Sequence, residues 1–217
     1  MSTTVSTTAA APEEEVVHPP APSPAHAPGH HTSTGLSNEK LAMWAFLGSE
    51  CLLFGGLIST FLLYRGKDVV SGPTVAELYD IPFTSVSSFV LLMSSLTMVL
   101  ALSAIQRGDT ARNRVWLLAT ALLGATFVAG QVYEFTIFYR EGLGFTTNLQ
   151  SSAFYVLTGF HGVHVTIGIL ILGSLFVLSS RGKLPPERGE TVEIAGLYWH
   201  FVDVVWVVIF TLVYLIR

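Results

Sequence analysis

Cysteine is nearly absent: the 217 residues contain one, Cys51, which excludes an intrachain disulfide and any thiolate metal cluster. It lies within an apolar run and reads as a small buried apolar residue. Charge is scarce as well. Only 12% of residues are charged against 51% hydrophobic, with a mean hydropathy of +0.57, whereas a soluble domain carries about twice that share of charge. No basic patch invites nucleic acid, and there is no nucleophile elbow, phosphate loop or self-sufficient haem-ligand pattern. The formal net charge of -4 says little by itself, because Glu13, Glu14 and Glu15 sit together near the N-terminus. None of the ten prolines falls inside an apolar run. Transporters with a midplane site usually have helices broken by Gly or Pro in two corresponding halves, so that architecture is disfavoured.

What remains is an all-α integral membrane protein. Residues 1–36 hold six of the ten prolines and are rich in Ala, Ser, Thr and His, with no apolar run, which predicts a disordered tail. The tail lacks the basic start and hydrophobic segment of a signal peptide. Its His18, His26, His30 and His31 are irregularly spaced and carry no functional reading. Residues 37–217 form the membrane domain, a bundle of five transmembrane helices. The predicted spans are 41–64, 83–105, 115–138, 152–179 and 194–216, each near or above the ~20 residues a crossing helix needs.

The connections carry the breakers: Ser71-Gly72-Pro73 and Pro82, Arg107-Gly108-Asp109, Gly142-Leu143-Gly144, and Pro185-Pro186. Asn113 and Thr191 are the expected N-caps of the third and fifth helices. Small-residue rows such as Ala121, Ala125 and Ala129, or Gly55 and Ser59, have the spacing of close helix packing in lipid. Seven Lys and Arg fall on the side of the N-terminus and four on the other, which predicts a cytoplasmic N-terminus and an external C-terminus.

Polar groups within the spans are the chemistry-bearing residues. A carboxylate at mid-bilayer costs roughly 2.5 to 3.5 kcal/mol on insertion scales, so each must face protein, head groups or water. The first span carries Glu50, the third Gln131 and Glu134, the fourth His161 and His164, and the fifth His200 and Asp203. On three of these helices the polar residues are three apart and share a face. By ~1.5 Å of rise per residue, Glu50, His161 and Asp203 fall near the midplane, while Glu134 comes out near the outer surface and away from that group. The residue types suit a metal site, a proton path or an interhelical polar seam. The Glu-x-x-His pairs of di-iron bundles are absent, and the chemistry alone points to a membrane subunit with a buried polar seam.

Five stretches then carry a resemblance. Trp44-Ala45-Phe46-Leu47-Gly48-Ser49-Glu50, Ser94-Ser95-Leu96-Thr97, Gly130-Gln131-Val132-Tyr133-Glu134, Thr158-Gly159-Phe160-His161-Gly162-Val163-His164-Val165 and Tyr198-Trp199-His200-Phe201-Val202-Asp203-Val204-Val205-Trp206 follow one another, one per span. Together they resemble subunit III of haem-copper terminal oxidases, over residues 40–217.

The resemblance implies a subunit with no catalytic residues, metal or cofactor of its own, bound beside subunit I, with subunit II in the same complex. Haem a and copper would sit in those partners, and structural phospholipids would contact this chain. Subunit I reduces oxygen and pumps protons, and loss of subunit III slows its proton uptake and lets it inactivate during turnover. By the same carry-over Glu50 is a buried, carbodiimide-reactive carboxylate. His161, His164, His200, Asp203, Gln131, Glu134, Trp44 and Trp199 form the seam for lipid or helix packing.

Seven-helix members hold lipid in a cleft between their first two helices and the other five, and this chain lacks the first two. The quinol-oxidase branch tends to carry Asp in place of Glu50 and Leu in place of Val202, so the expected complex is an aa3-type cytochrome c oxidase of a bacterial plasma membrane, able to join a respiratory supercomplex. A quinol oxidase subunit III is the alternative within the family. A free-standing proton or metal transporter is the alternative outside it.

Overall fold

The computed structural model describes residues 37–65 and 78–216. The predicted tail, the Ser71-Gly72-Pro73 breaker and Arg217 lie outside the described residues. The elements in chain order are α1 (Asn38–Arg65), α2 (Ile81–Gln106), α3 (Thr110–Arg140), α4 (Leu149–Ser180) and α5 (Gly189–Phe210). A 3₁₀ turn, Pro186–Arg188, leads into α5, and a π turn, Thr211–Leu215, follows it. Among the described residues five helices are long and apolar enough to cross a membrane, which makes this a multi-pass membrane protein. The first four extend the span expected from hydropathy at both ends and the fifth only at its start, because a helix of 28 residues is about 42 Å long and carries its polar ends past a hydrocarbon core of about 30 Å.

The starts and stops are local chemistry. Asp80 caps α2 by accepting from Phe83 N at 3.1 Å, and Pro82 sits in the first turn, where its missing N–H costs nothing. Asp109 caps α3 through Arg112 N at 3.0 Å. The expected cap Asn113 instead lies buried one turn inside, its Nδ2 donating to Ala101 O at 2.9 Å, so it ties α3 to α2. Asn148 and Ser151 form a capping box at the start of α4. Thr191 is no cap either: α5 begins at Gly189 behind Arg188, with no side-chain cap bond.

Three helices stop in one way. Gly108, Gly142 and Gly182 adopt φ of 78°, 89° and 68°, a left-handed conformation that costs a glycine nothing. The next residue then turns its N–H back to a carbonyl five residues earlier: Asp109 to Ala104, Leu143 to Phe138 and Lys183 to Leu178, at 3.0, 2.9 and 2.9 Å.

The other helices close around α5. It packs on α1, α2 and α4, while α3 lies between α2 and α4, and α4 also meets α1. At the helix starts, Lys40 of α1 reaches Glu193 of α5 at 2.9 Å. Ser37 donates to Glu190 beside it.

The small-residue rows serve this packing only at Ala121, which is buried in the core; Ala125, Ala129, Gly55 and Ser59 are exposed on the outside of the bundle, and a Cβ at Gly55 would meet nothing within 4 Å. Cys51 is also exposed, on the same outward side of α1, rather than buried. Hydropathy cannot tell a small residue facing lipid from one facing a neighbouring helix, since both settings are apolar. Other glycines make the close approaches: a Cβ at Gly162 of α4 would stand 2.7 Å from Gln131 Oε1 of α3.

Candidate functional site

Two indoles of α5 set the frame. Trp199 and Trp206, seven residues apart and so on one face, are both almost fully buried and donate to α2: Trp199 Nε1 to Ser94 Oγ at 3.0 Å, Trp206 Nε1 to Ser88 Oγ at 2.8 Å. A buried indole N–H needs an acceptor, and each finds one across the interface. Trp199 also lies between two glycines, with the ideal Cβ of Gly124 at 2.5 Å and that of Gly168 at 2.7 Å from its ring. The ring fills the space where α3 and α4 have no side chain.

The polar residues expected to make one seam separate into local groups. Glu50 of α1 meets His164 of α4, with Oε2 3.1 Å from Nε2. His164 Nδ1 is 2.7 Å from Phe160 O, and since a carbonyl only accepts, Nδ1 carries a proton. Nε2 faces the Glu50 carboxyl, so each group gives the other a polar partner inside the bundle. Phe54 stands edge-on to the imidazole at 5.1 Å, and Tyr198 OH donates to His164 O at 2.9 Å.

A second group joins α5 to α2. His200 Nδ1 lies 2.6 Å from Ser95 Oγ, and the Ser95 hydroxyl is also the hydrogen-bonding neighbour of Asp203. Asp203 is 4% exposed and its Oδ1 has no partner among the described residues.

His161 stands alone. It is fully buried, stacked on Trp206 at 4.8 Å with Phe127 edge-on at 5.9 Å, and among the described residues neither ring nitrogen has a hydrogen-bond partner. Its three-residue spacing from His164 shares a face in sequence, yet one ring enters an aromatic cage while the other meets Glu50.

Glu134 belongs to a further group, away from the rest as its depth predicts. It accepts from Thr84 at 2.9 Å and from Tyr214 at 3.3 Å. The π turn that carries Tyr214 buries both it and Val213, and Tyr79 packs on Tyr214 at 4.3 Å. Tyr79 lies outside the spans, and burial raises its phenol well above the ordinary range. A cavity of about 320 Å³ opens beside Glu134, walled by Asp80, Phe83, Tyr133 and Phe138.

Gln131 Nε2 donates to Thr158 O at 2.6 Å, pinning α3 to α4. An apolar groove of about 310 Å³ runs past it, lined by Val128, Phe135, Gly159 and Val163. Trp44 is 54% exposed on the outside of α1.

Sequence reasoning singled out the acids, imidazoles and indoles but not their partners Ser88, Thr84, Tyr198 and Tyr214. Hydroxyls are common in membrane helices and bond their own backbone, as Thr158 does to Phe154 O at 2.7 Å, so nothing in their type marks them.

Among the described residues no three His, Cys, Asp or Glu side chains gather where one metal ion could bind them.

Comparison with known proteins places these features in a wider set. The family model for cytochrome c oxidase subunit III matches residues 23–216. The chain is similar to the cytochrome c oxidase subunit 3 of Bacillus sp. (strain PS3), 40% identical over 87% of this chain and 91% of that one. It is equally similar to the quinol oxidase subunit 3 of Bacillus subtilis (strain 168), 41% identical over 86% of this chain and 90% of the relative. A cytochrome c oxidase subunit 3 from Synechocystis is 41% identical over 89% of this chain and 81% of its own length.

Proposed function

The chain belongs to the cytochrome c oxidase subunit III family, and on that premise we propose that it is the non-catalytic subunit III of an aa3-type cytochrome c oxidase in a bacterial plasma membrane. Membership of a haem-copper oxidase complex follows from the family. The finer assignments are inferences: that its main contact is subunit I, that subunit II shares the complex, and that haem a and copper reside in those partners. Its role in this reading is to stabilise subunit I and support proton uptake during oxygen reduction.

The carrying observation is the family match over residues 23–216, which takes in all five helices. A match across all five helices also disfavours a free-standing transporter. Relatives named for cytochrome c and for quinol are equally close, so the choice of donor rests on Glu50 and Val202, where the quinol branch tends to carry Asp and Leu.

Other features suit the role. Glu50 and His164 pair with one another at the α1–α4 contact, which makes a carboxyl group tolerable at mid-depth. The groove between α3 and α4 has the apolar lining of an acyl-chain site, consistent with structural phospholipid. The excess of Lys and Arg on the N-terminal side favours a cytoplasmic N-terminus and an external C-terminus.

Purification of the tagged chain from its own membranes in mild detergent tests the reading. The expected preparation shows the absorbance of haem a and oxidises reduced cytochrome c. Recovery of the chain without haem overturns the assignment, and turnover with quinol but not cytochrome c moves it to the quinol branch.

A further inference from the structure

Most polar groups at mid-depth find a partner inside the chain: Glu50 with His164, Gln131 with Thr158 O, Trp199 with Ser94 and Trp206 with Ser88. His161 has none, but it is sealed from the surface. His200 differs from both. Its Nδ1 meets Ser95, while its Nε2 has no partner among the described residues and is not one of the enclosed polar atoms, so it opens to the outside of the bundle.

Depth makes that opening costly. The fifth crossing segment runs Pro186–Leu215, 30 residues, and His200 stands at its middle; Ser95 is likewise near the middle of α2. Either end is about 20 Å away along the axis, beyond the reach of head groups or bulk water in a core about 30 Å thick. An acyl chain offers no hydrogen bond.

Around the imidazole the surface is apolar. Val204, one turn along α5, is 61% exposed, and Leu96 and Val99 of α2 are 53% and 50% exposed. A single polar group ringed by aliphatic side chains at mid-bilayer is the form of an interhelical contact in a membrane.

We infer that the Ser95–His200 face of α2 and α5 receives a membrane-spanning helix of another oxidase subunit, whose polar side chain at mid-depth bonds His200 Nε2 and whose apolar flanks cover Leu96, Val99 and Val204. This rests on the reading of the chain as an oxidase subunit. It adds which face meets the partner and the chemistry the partner must supply. Ser95 and Asp203 are positioning residues, holding the ring with Nε2 outward.

A photoreactive benzoylphenylalanine at Val204 tests the face, with the same probe at Leu170 as control. Leu170 is 68% exposed on α4, which touches α5 through its other side. In the assembled complex Val204 is expected to cross-link to another oxidase subunit and Leu170 is not. In parallel, His200→Phe keeps the ring and removes its nitrogens. About fivefold less of that variant should be recovered with the haem-containing complex, at unchanged insertion, as the loss of one hydrogen bond of about 1 kcal/mol predicts.

If the preparation contains haem but Val204 links to lipid, to a second copy or to nothing, the inference is overturned and the functional assignment stands. If no haem-containing complex is recovered at all, the assignment fails and the inference falls with it. Should His200→Phe fail to insert, the cross-link from Val204 decides by itself.

Discussion

The Trp199 indole and the Gly124 backbone are in such close contact that a Cβ at Gly124 would stand 2.5 Å from Cη2 of the ring. The ring cannot retreat, because Gly168 bounds its other side, where a Cβ would meet it at 2.7 Å. The contact fixes the distance from α5 to both α3 and α4, and the N–H bond to Ser94 fixes its register on α2.

Gly124→Ala is therefore expected to destabilise the protein. Alanine gains up to about 1 kcal/mol of helix propensity, but overpacking a filled site costs roughly 1 to 3 kcal/mol and outweighs it. Thermal unfolding in detergent should show a lower midpoint, and Trp199→Phe in the same chain should recover part of the loss. An unchanged midpoint for the single variant contradicts the packing described.

The Glu50–His164 pair makes an asymmetric prediction. Glu50→Gln keeps the contact, since the amide N–H₂ donates to Nε2 of an imidazole already protonated at Nδ1, so haem recovered per chain should be near that of the natural protein. His164→Leu strands the Glu50 carboxyl at mid-depth and should lower haem recovery severalfold, as an unpaired buried acid costs about 1 to 3 kcal/mol or more. Equal recovery from the two variants counts against the pairing.

Asp203 and Lys40 are both charged residues contacting another helix, yet their weights should differ. Asp203→Leu removes an enclosed acceptor beside Ser95 and should reduce assembly clearly, more than Glu50→Gln does. Lys40→Met removes a pair to Glu193 whose side chains are 22% and 37% exposed, and a pair so open to solvent contributes little. Haem content of the two mutant membranes compares them, and a larger loss from Lys40→Met would reverse the ranking.

Topology is checked by reporter fusions. A phosphatase, active only outside the cytoplasm, should be active when fused after Arg217 and inactive within the Arg107–Asp109 connection. The opposite pattern would show that seven basic residues against four do not orient this chain.

The polar residues show where sequence reading stops. Glu50, His164, His200 and Asp203 stand out because charge is conspicuous in oil, and a three-residue spacing assigns them to faces. Which face meets which helix is set by the crossing geometry, and neighbours on one face end up apart: His161 enters the ring stack of Trp206 while His164 turns to Glu50. Ser88 and Thr84 carry no such mark, and only the packed bundle shows that one accepts an indole and the other reaches Glu134.

Hydropathy and turn residues by themselves determined that this chain crosses a membrane five times and broadly where each crossing lies, because apolar length and the breakers between helices are properties of consecutive residues. They also supplied the ordered motifs that mark the family. Only the tertiary structure decided which small residues touch, since an exposed Gly55 and a packed Gly124 are the same letter in equally apolar surroundings. It alone divided one polar seam into separate pairs, because hydrogen bonds form between atoms brought within about 3 Å, and that proximity is made by the way the helices pack on one another.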